Sequence, residues 1–183
     1  MFEFLGKASS WFHRFLRFLQ RIFDANDLLN SWYVISGKTH ALSSLARTET
    51  GESRERFFKE SFEKYQRAIE IKPDKHEAFN NWGLALSDLA QAETGESRER
   101  FFKESFEKYQ RATEIKPDMH EAFYNLACIM SLQGKRDECR AYLEEYFKIG
   151  GTNSRSVFNN DIDFDNVRQD AWFQELLQKA PEE

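Results

Sequence analysis

The chain has 183 residues and a net charge of −5, with 40% hydrophobic and 31% charged residues. Glycine and proline are scarce, at 8 and 3, which argues against an all-β sandwich or barrel because those folds need many turns. The acidic balance also argues against nucleic acid as a main partner, since phosphate binding requires a basic surface.

The first predicted element is an amphipathic helix over residues 1–24. When residues are placed at about 100° intervals, apolar side chains fill one continuous side and basic or polar side chains fill the other. We predict a partner or membrane face that combines the aromatic and aliphatic residues with three nearby arginines. The apolar residues are Trp11, Phe12, Phe15, Phe18, Leu19, Ile22 and Phe23, and the arginines are Arg14, Arg17 and Arg21.

Three roles remain open for this helix. It can pack on the following helices as an N-terminal cap, associate with a second copy or a partner protein, or lie at a membrane interface. Aromatic residues on one side and arginines on the other are what an interfacial helix requires. The sequence has no apolar run long enough to span a bilayer and no secretory signal. We therefore expect a cytoplasmic protein, with peripheral membrane contact as an open alternative.

An internal repeat dominates residues 27–153. Residues 49–81 match residues 93–125 at an offset of 44 with three differences, and residues 49–68 recur unchanged at 93–112. A weaker copy precedes them, and a third copy follows with a shorter spacing. Apolar residues recur at helical intervals, so the sequence predicts an all-α chain of about three helix pairs. We assign the extra residues of the first two pairs to a lengthened turn between the paired helices.

Large and small residues recur at matching positions in these pairs. They are Phe79, Trp82, Gly83, Leu86, Tyr109, Ala112 and Pro117, then Phe123, Leu126, Ala127, Met130, Gly134, Cys139, Leu143 and Tyr146. This spacing resembles the tetratricopeptide repeat (TPR) family over roughly residues 32–151, although the first unit has Lys38 and Thr39 where a large apolar and a small residue are expected. The resemblance implies a right-handed α-solenoid, in which Gly83 and Ala127 let paired helices approach closely.

The resemblance also implies a concave groove for a peptide or protein segment of unknown identity. Asn81 and Asn125 hold a position where many TPR proteins carry an asparagine that hydrogen-bonds the ligand backbone, and an amide offers both a donor and an acceptor. The family's clamp for a terminal carboxylate is not expected, because only Asn81 fits its pattern. The predicted groove residues are Asn80, Asn81, Leu84, Ser87, Asp88, Tyr124, Asn125, Cys128 and Ser131.

The tail, residues 154–183, resembles the end-of-group-like module that closes bacterial TPR arrays, and we expect it to form a helical cap on the last repeat. Asp161, Asp163 and Asp165 imitate the start of a calcium loop, but Asn166 and Trp172 stand where that loop needs glycine and glutamate. We therefore predict no metal there. The residues expected to cover the last repeat are Ile162, Phe164, Val167, Trp172, Phe173, Leu176 and Leu177.

No set of residues with the spacing of a known catalytic or nucleotide-binding motif is present. Cys128 and Cys139 lack a second thiol or histidine at ligand spacing, so we interpret them as packing residues. We predict a non-enzymatic scaffold without a cofactor that binds a protein segment in its groove. The alternative is a structural module that oligomerises or attaches to a membrane through residues 1–23.

Overall fold

The structure is a computed structural model that describes Ala46 and residues 49–182. The amphipathic helix at residues 1–24 and its predicted partner or membrane face lie outside the described residues. Residues 49–182 contain seven α-helices, one short 3-10 helix and no strand. The prediction of an all-α fold is confirmed for this part of the chain.

Helices that are neighbours in sequence also pack against each other, from α1 against α2 through to α4 against α5, and α2 also contacts α4. In the described residues, no helix combines the length and apolar character needed to cross a membrane. The elements are α1 (Gly51–Ile71), α2 (His76–Ala92), α3 (Gly95–Ile115), α4 (His120–Leu132), α5 (Arg136–Lys148), α6 (Arg155–Asn160), a 3-10 helix (Ile162–Phe164) and α7 (Ala171–Leu177).

The prediction of a lengthened turn is wrong for the pair formed by α2 and α3. Only residues 93 and 94 separate the two helices, and the extra residues extend the helices themselves. These helices have 17 and 21 residues, whereas α4 and α5 have 13 each. The inserted residues are rich in glutamate and arginine, which favour helix. Two oppositely charged pairs form along α3, Arg100 with Glu104 at 3.9 Å and Arg111 with Glu114 at 2.7 Å.

Helices α2 and α3 are antiparallel and approach closely at Gly83. A β-carbon placed on Gly83 would lie 2.8 Å from the ring of Tyr109, which is itself buried. The hydroxyl of Ser105 donates a hydrogen bond to the carbonyl oxygen of Gly83 at 2.6 Å. A residue without a side chain is therefore needed here, as the sequence predicted, and a buried hydrogen bond holds the two helices at this distance.

Among the described residues, the largest hydrophobic cluster, which we call the main core, lies where α3, α4 and α5 meet the C-terminal residues. A smaller cluster joins α1 and α2 and includes Ala46 and Phe58. The residues 44 positions later, Ala90 and Phe102, belong together in the main core. Ala46 and Phe58 thus share a cluster, as their repeat counterparts Ala90 and Phe102 do, and Ala46 lies before the start of α1.

The C-terminal segment, which we define as residues 154–182, covers the last helix pair. Its 3-10 helix packs on α4 and its last helix, α7, packs on α5. Ile162 differs from the prediction because its side chain is 71% exposed. In the tight 3-10 helix, residues two apart face different sides, and Phe164 is the residue that turns inward. The predicted covering residues that are buried are Phe164, Val167, Phe173, Leu176 and Leu177, and Trp172 is partly buried against them.

Candidate functional site

The structure places most of the predicted groove residues that carry polar chemistry in two sets. The first set is a chain of asparagine amides, Asn80, Asn81 and Asn125, which we call the amide chain. The second set lies under the C-terminal segment, and with two aspartates of that segment it forms what we call the seam. The seam consists of Tyr124, Cys128, Asp161 and Asp163.

The amide chain links α2 to α4. Asn125 Nδ2 donates to Asn80 Oδ1 at 3.1 Å, and Asn80 Nδ2 donates to Asn81 Oδ1 at 3.5 Å. Asn80, at the centre, is only 8% exposed, whereas Asn81 and Asn125 at the two ends are half-buried. Among the described residues, no hydrogen-bond partner accompanies Asn81 Nδ2 or Asn125 Oδ1. As far as residues 49–182 are concerned, the Asn81 amide N–H and the Asn125 amide oxygen therefore remain available at the two ends of the amide chain.

A recess lies beside Asn125. It has a volume of about 370 Å³, and Tyr146, from the following helix, forms part of its wall. The hydroxyl of Tyr146 accepts a hydrogen bond from the backbone N–H of Asn153 at 2.8 Å, which fixes the loop that closes the recess. The recess offers space for a side chain next to the free amide acceptor. Its lining residues are His120, Glu121, Tyr124, Asn125, Tyr146 and Asn153.

Three predicted groove residues on α4 are covered by the chain itself. Ser131 is fully buried, and its carbonyl oxygen accepts a hydrogen bond from Asn166 Nδ2 at 2.8 Å. Cys128 is 5% exposed beneath the 3-10 helix. The ring of Tyr124 packs between Phe158 and Phe164, with ring centres 5.4 and 5.5 Å away. This part of α4 differs from the expected open groove, because the C-terminal segment lies on it.

One of the three differences between the repeats could have signalled this coverage. Tyr124 replaces the polar Asn80 of the preceding copy, so the last repeat presents an aromatic surface where the middle repeat presents an amide. The tail supplies Phe158 and Phe164 to meet it. An aromatic residue gained at a groove position, followed by an aromatic tail, indicates that the chain covers its own surface.

The remaining predicted groove residues lie on α2. Leu84 is half-buried and packs against the main core, while Ser87 is buried. Asp88 is half-buried, and its negative charge acts on Asp163 of the C-terminal segment. These three residues therefore contribute more to contacts within the chain than to an open surface.

The seam brings acidic side chains against buried α4 residues. Tyr124 Oη donates to Asp161 Oδ2 at 2.5 Å, and Cys128 Sγ lies 4.0 Å from the same oxygen. Asp161 Oδ1 accepts from the backbone N–H of Asp163 at 3.0 Å. One atom from each of Cys128, Asp161 and Asp163 lies within 4.8 Å of the other two.

Burial shifts the protonation equilibria of the seam toward neutral forms. Burial, together with the charges of Asp161 and Asp88, raises the pKa of Asp163 to about 6, although a hydrogen bond from Cys128 opposes this shift. Burial and the two seam aspartates also raise the pKa of Cys128 well above its usual range. The pKa of Tyr124 is raised mainly by burial as well. At neutral pH the thiol and the phenol therefore remain protonated.

A thiol and two carboxylates are a donor set that divalent metals can use, but we assign no metal to the seam. The thiolate is the form that ligates, and in the absence of a cation the raised pKa of Cys128 keeps the thiol protonated, so a metal would have to displace that proton. Asp161 Oδ2 already accepts a hydrogen bond from Tyr124. Asn166 stands where a calcium loop has glycine, and its side chain donates to the Ser131 carbonyl oxygen instead of facing a metal site.

Arg168 was not singled out by the sequence, yet it organises the C-terminal segment. Its guanidinium group donates to Asp165 Oδ1 at 2.5 Å and to the carbonyl oxygen of Asp161 at 2.7 Å. It also donates to the carbonyl oxygens of Phe158 and Asn159 at the end of α6. The i,i+3 spacing of Asp165 and Arg168 could have indicated the first contact, but the carbonyl contacts depend on the tertiary fold.

Two apolar grooves related by the repeat offset were also missed by sequence reasoning. The first groove has a volume of about 630 Å³ and an apolar lining of Phe58, Phe62, Trp82, Leu89 and Phe101. The second groove, of about 430 Å³, has an apolar lining of Phe102, Phe106, Met130 and Tyr142. Charged residues border both grooves. Phe58 and Phe62 in the first correspond to Phe102 and Phe106 in the second.

No protein-family model and no curated protein matches this chain. The chemistry of the site is therefore judged from its geometry alone. The amide chain presents a neutral donor and acceptor, the seam holds protonated groups under the C-terminal segment, and the two grooves are apolar.

Proposed function

We propose that this protein is a non-enzymatic scaffold of the TPR type that binds an extended protein segment across α2 and α4. The observation that carries the proposal is the amide chain, which has an available donor at Asn81 and an available acceptor at Asn125. A peptide unit offers the complementary pair, a carbonyl oxygen and an N–H group. The recess beside Asn125 would take a side chain of the bound segment.

The proposed site is shorter than the groove expected from the resemblance. The C-terminal segment covers Tyr124, Cys128 and Ser131, so a ligand would contact the start of α4 rather than its whole length. Asn80 supports the site without contacting the ligand, because its side chain is buried between Asn81 and Asn125. The ligand backbone would thus complete a hydrogen-bonded row that the described residues leave open at both ends.

The proposal can be tested by selecting binders from a library of random 12-residue peptides displayed on phage, with the full chain as bait. The affinity of a selected peptide is then measured by fluorescence anisotropy for the native chain and for the double variant Asn81→Ala/Asn125→Ala. Each hydrogen bond contributes about 0.5–1.5 kcal/mol, so we expect the double variant to bind about 5- to 100-fold more weakly.

The matched control is Asn159→Ala/Asn160→Ala, which removes two exposed amides at the end of α6, outside the amide chain. This variant should bind the peptide as the native chain does. Replacing Asn125 also removes the donor that hydrogen-bonds the buried Asn80 Oδ1. The single variant Asn81→Ala, which keeps this bond, is therefore measured beside the double variant. Equal affinity for the native chain and both amide-chain variants would reject the proposed site.

A further inference from the structure

Acidic groups from two separate parts of the chain influence each other at the seam. Asp161 and Asp163 belong to the C-terminal segment, while Asp88 adds its charge from α2. In residues 49–182, no lysine, arginine or histidine forms an ion pair with Asp161 or Asp163, and Arg168 pairs with Asp165 instead. The charged and titratable groups that face Asp163 or its neighbours are Asp88 from α2, Tyr124 and Cys128 from α4, Cys139 from α5, and Asp161, Asp165 and Arg168 from the C-terminal segment.

One carboxylate oxygen of Asp161 lies within 4.8 Å of one of Asp163. Two negative charges at this distance repel each other, and partial burial removes the water that would screen them. Asp161 is held as an acceptor by the hydroxyl of Tyr124 and by the backbone N–H of Asp163. A second negative charge on Asp163 would therefore face the first, and residues 49–182 supply no cation that pairs with either carboxylate. The arrangement is most favourable when Asp163 carries a proton.

We propose that the seam is a proton-dependent clasp, which holds residues 161–166 on α4 when Asp163 is protonated and loosens when Asp163 ionises. Loosening uncovers Cys128 and Tyr124, the α4 side chains beneath the 3-10 helix. Phe158 and Phe173 remain buried in the core on either side, so the opening is local rather than a release of the whole C-terminal segment. The clasp does not depend on the proposed peptide site.

The direction of the pH dependence follows from the raised pKa. In the open state Asp163 would ionise near its ordinary pKa of 3.8, and on α4 it ionises near 6. The closed state therefore binds the proton more tightly, and its advantage is complete below pH 4 and lost as the pH rises through 6. Between pH 4 and pH 7 we expect the opening equilibrium to rise by about 10- to 100-fold.

Hydrogen–deuterium exchange measured by mass spectrometry tests the clasp on the full chain. The backbone N–H groups of Asp163, Phe164 and Asp165 are hydrogen-bonded within residues 161–165, so their exchange reports the opening. After correction for intrinsic exchange rates, protection of this segment should fall at least tenfold from pH 4.5 to pH 7. Peptides from α3 serve as the reference and should show a smaller change.

Two variants and one control identify the responsible group. Asp163→Asn should keep the segment protected at both pH values, because the amide cannot ionise. Asp88→Asn, which removes one repelling charge, should move the midpoint of the transition to lower pH and keeps the test valid if Asp163→Asn does not fold. The control Asp137→Asn removes an exposed carboxylate of α5 and should behave as the native chain does.

Three results would overturn the clasp. The first is pH-independent protection of residues 161–166 in the native chain. The second is an Asp163→Asn variant that follows the native pH profile. The third is an equal loss of protection in α3 and in the C-terminal segment, which would indicate global unfolding.

Discussion

Helices α1 and α3 have the same first 18 residues, so one sequence can be compared in two structural environments of the same molecule. Their starts agree closely. Thr50 and Thr94 precede the helices with φ of −133° and −132°, and Gly51 and Gly95 begin them with φ of 59° and 58°. These features depend on residues within the copied stretch, and they are reproduced in both places.

The same side chains nevertheless make different contacts across the fold. Ser61 donates to the carbonyl oxygen of Phe58 in its own helix at 2.8 Å, whereas Ser105 donates to Gly83 of α2. Lys64 pairs with Glu60 at 3.6 Å. Its counterpart Lys108 lies over the ring of Trp82, with Nζ 4.2 Å from the ring centre. Identical local sequence thus produces identical helices, and the neighbouring helix decides what each side chain does.

The two apolar grooves show the same division. Their α1 and α3 walls are copies, but the first groove is the larger, at about 630 Å³ against about 430 Å³. The other wall of the first groove includes Phe101 from the long helix α3, whereas the second groove is bordered by Tyr142 of the shorter α5. The following helix therefore gives one copied surface a different opposite wall in each groove.

The largest difference between the copies is expected for Phe102→Ala and Phe58→Ala. Truncating a buried phenylalanine costs about 3–5 kcal/mol of unfolding free energy. Phe102 is part of the main core and Phe58 of the small cluster. We expect Phe102→Ala to cost about 1 kcal/mol more than Phe58→Ala, because more packed side chains surround the resulting cavity. Urea unfolding of both variants, monitored by circular dichroism, gives the two values.

The native chain and Gln110→Ala, a change on the exposed side of α3, provide the reference for this pair. Gln110→Ala should alter the unfolding free energy by less than about 0.5 kcal/mol. If Phe58→Ala costs as much as Phe102→Ala or more, the copies are equivalent in energy and the difference in their surroundings has no consequence for stability.

The sequence allowed the all-α fold and the repeat to be predicted, because both depend on spacing within one or two helices, and the resemblance to TPR proteins implied the close approach at Gly83. The connection between α2 and α3 was predicted as a turn, since a repeat shifted by about ten residues does not reveal whether the insertion is helical. The coverage of Tyr124 and Cys128 was missed for another reason. It depends on where the C-terminal segment packs, and the spacing within the repeats carries no information about that contact.

A smaller difference is expected for Ser105→Ala and Ser61→Ala. The Ser105 hydroxyl joins two helices through a buried carbonyl oxygen, so its removal should cost about 1–2 kcal/mol. The Ser61 hydroxyl bonds a carbonyl of its own helix, and alanine is the better helix former by about 0.5 kcal/mol. Ser61→Ala should therefore change the unfolding free energy by less than about 0.5 kcal/mol.

Thermal unfolding of the two serine variants, with the double variant as a third sample, checks both values at once. The effects should add, since the sites belong to different clusters and share no hydrogen-bond partner. A larger loss for Ser61→Ala than for Ser105→Ala would mean that the bond between α2 and α3 contributes little, and that the two copies differ for another reason.

The smallest difference is expected for Lys108→Met and Lys64→Met, which keep an unbranched side chain one atom shorter than lysine and remove its charge. The ammonium group of Lys108 faces the ring of Trp82 on α2, and a cation over a tryptophan ring contributes about 0.5–1 kcal/mol at a partly exposed site. The pair between Lys64 and Glu60 lies at the surface, where an i,i+4 pair contributes about 0.3–0.5 kcal/mol and is screened by salt.

Urea unfolding at low and high salt separates the two lysine contacts. Raising the salt concentration should remove most of the effect of Lys64→Met and leave much of the effect of Lys108→Met, because the ring excludes water from one side of that contact. The same salt sensitivity in both variants would contradict a specific contact with Trp82 and would make Lys108 a surface charge like its copy.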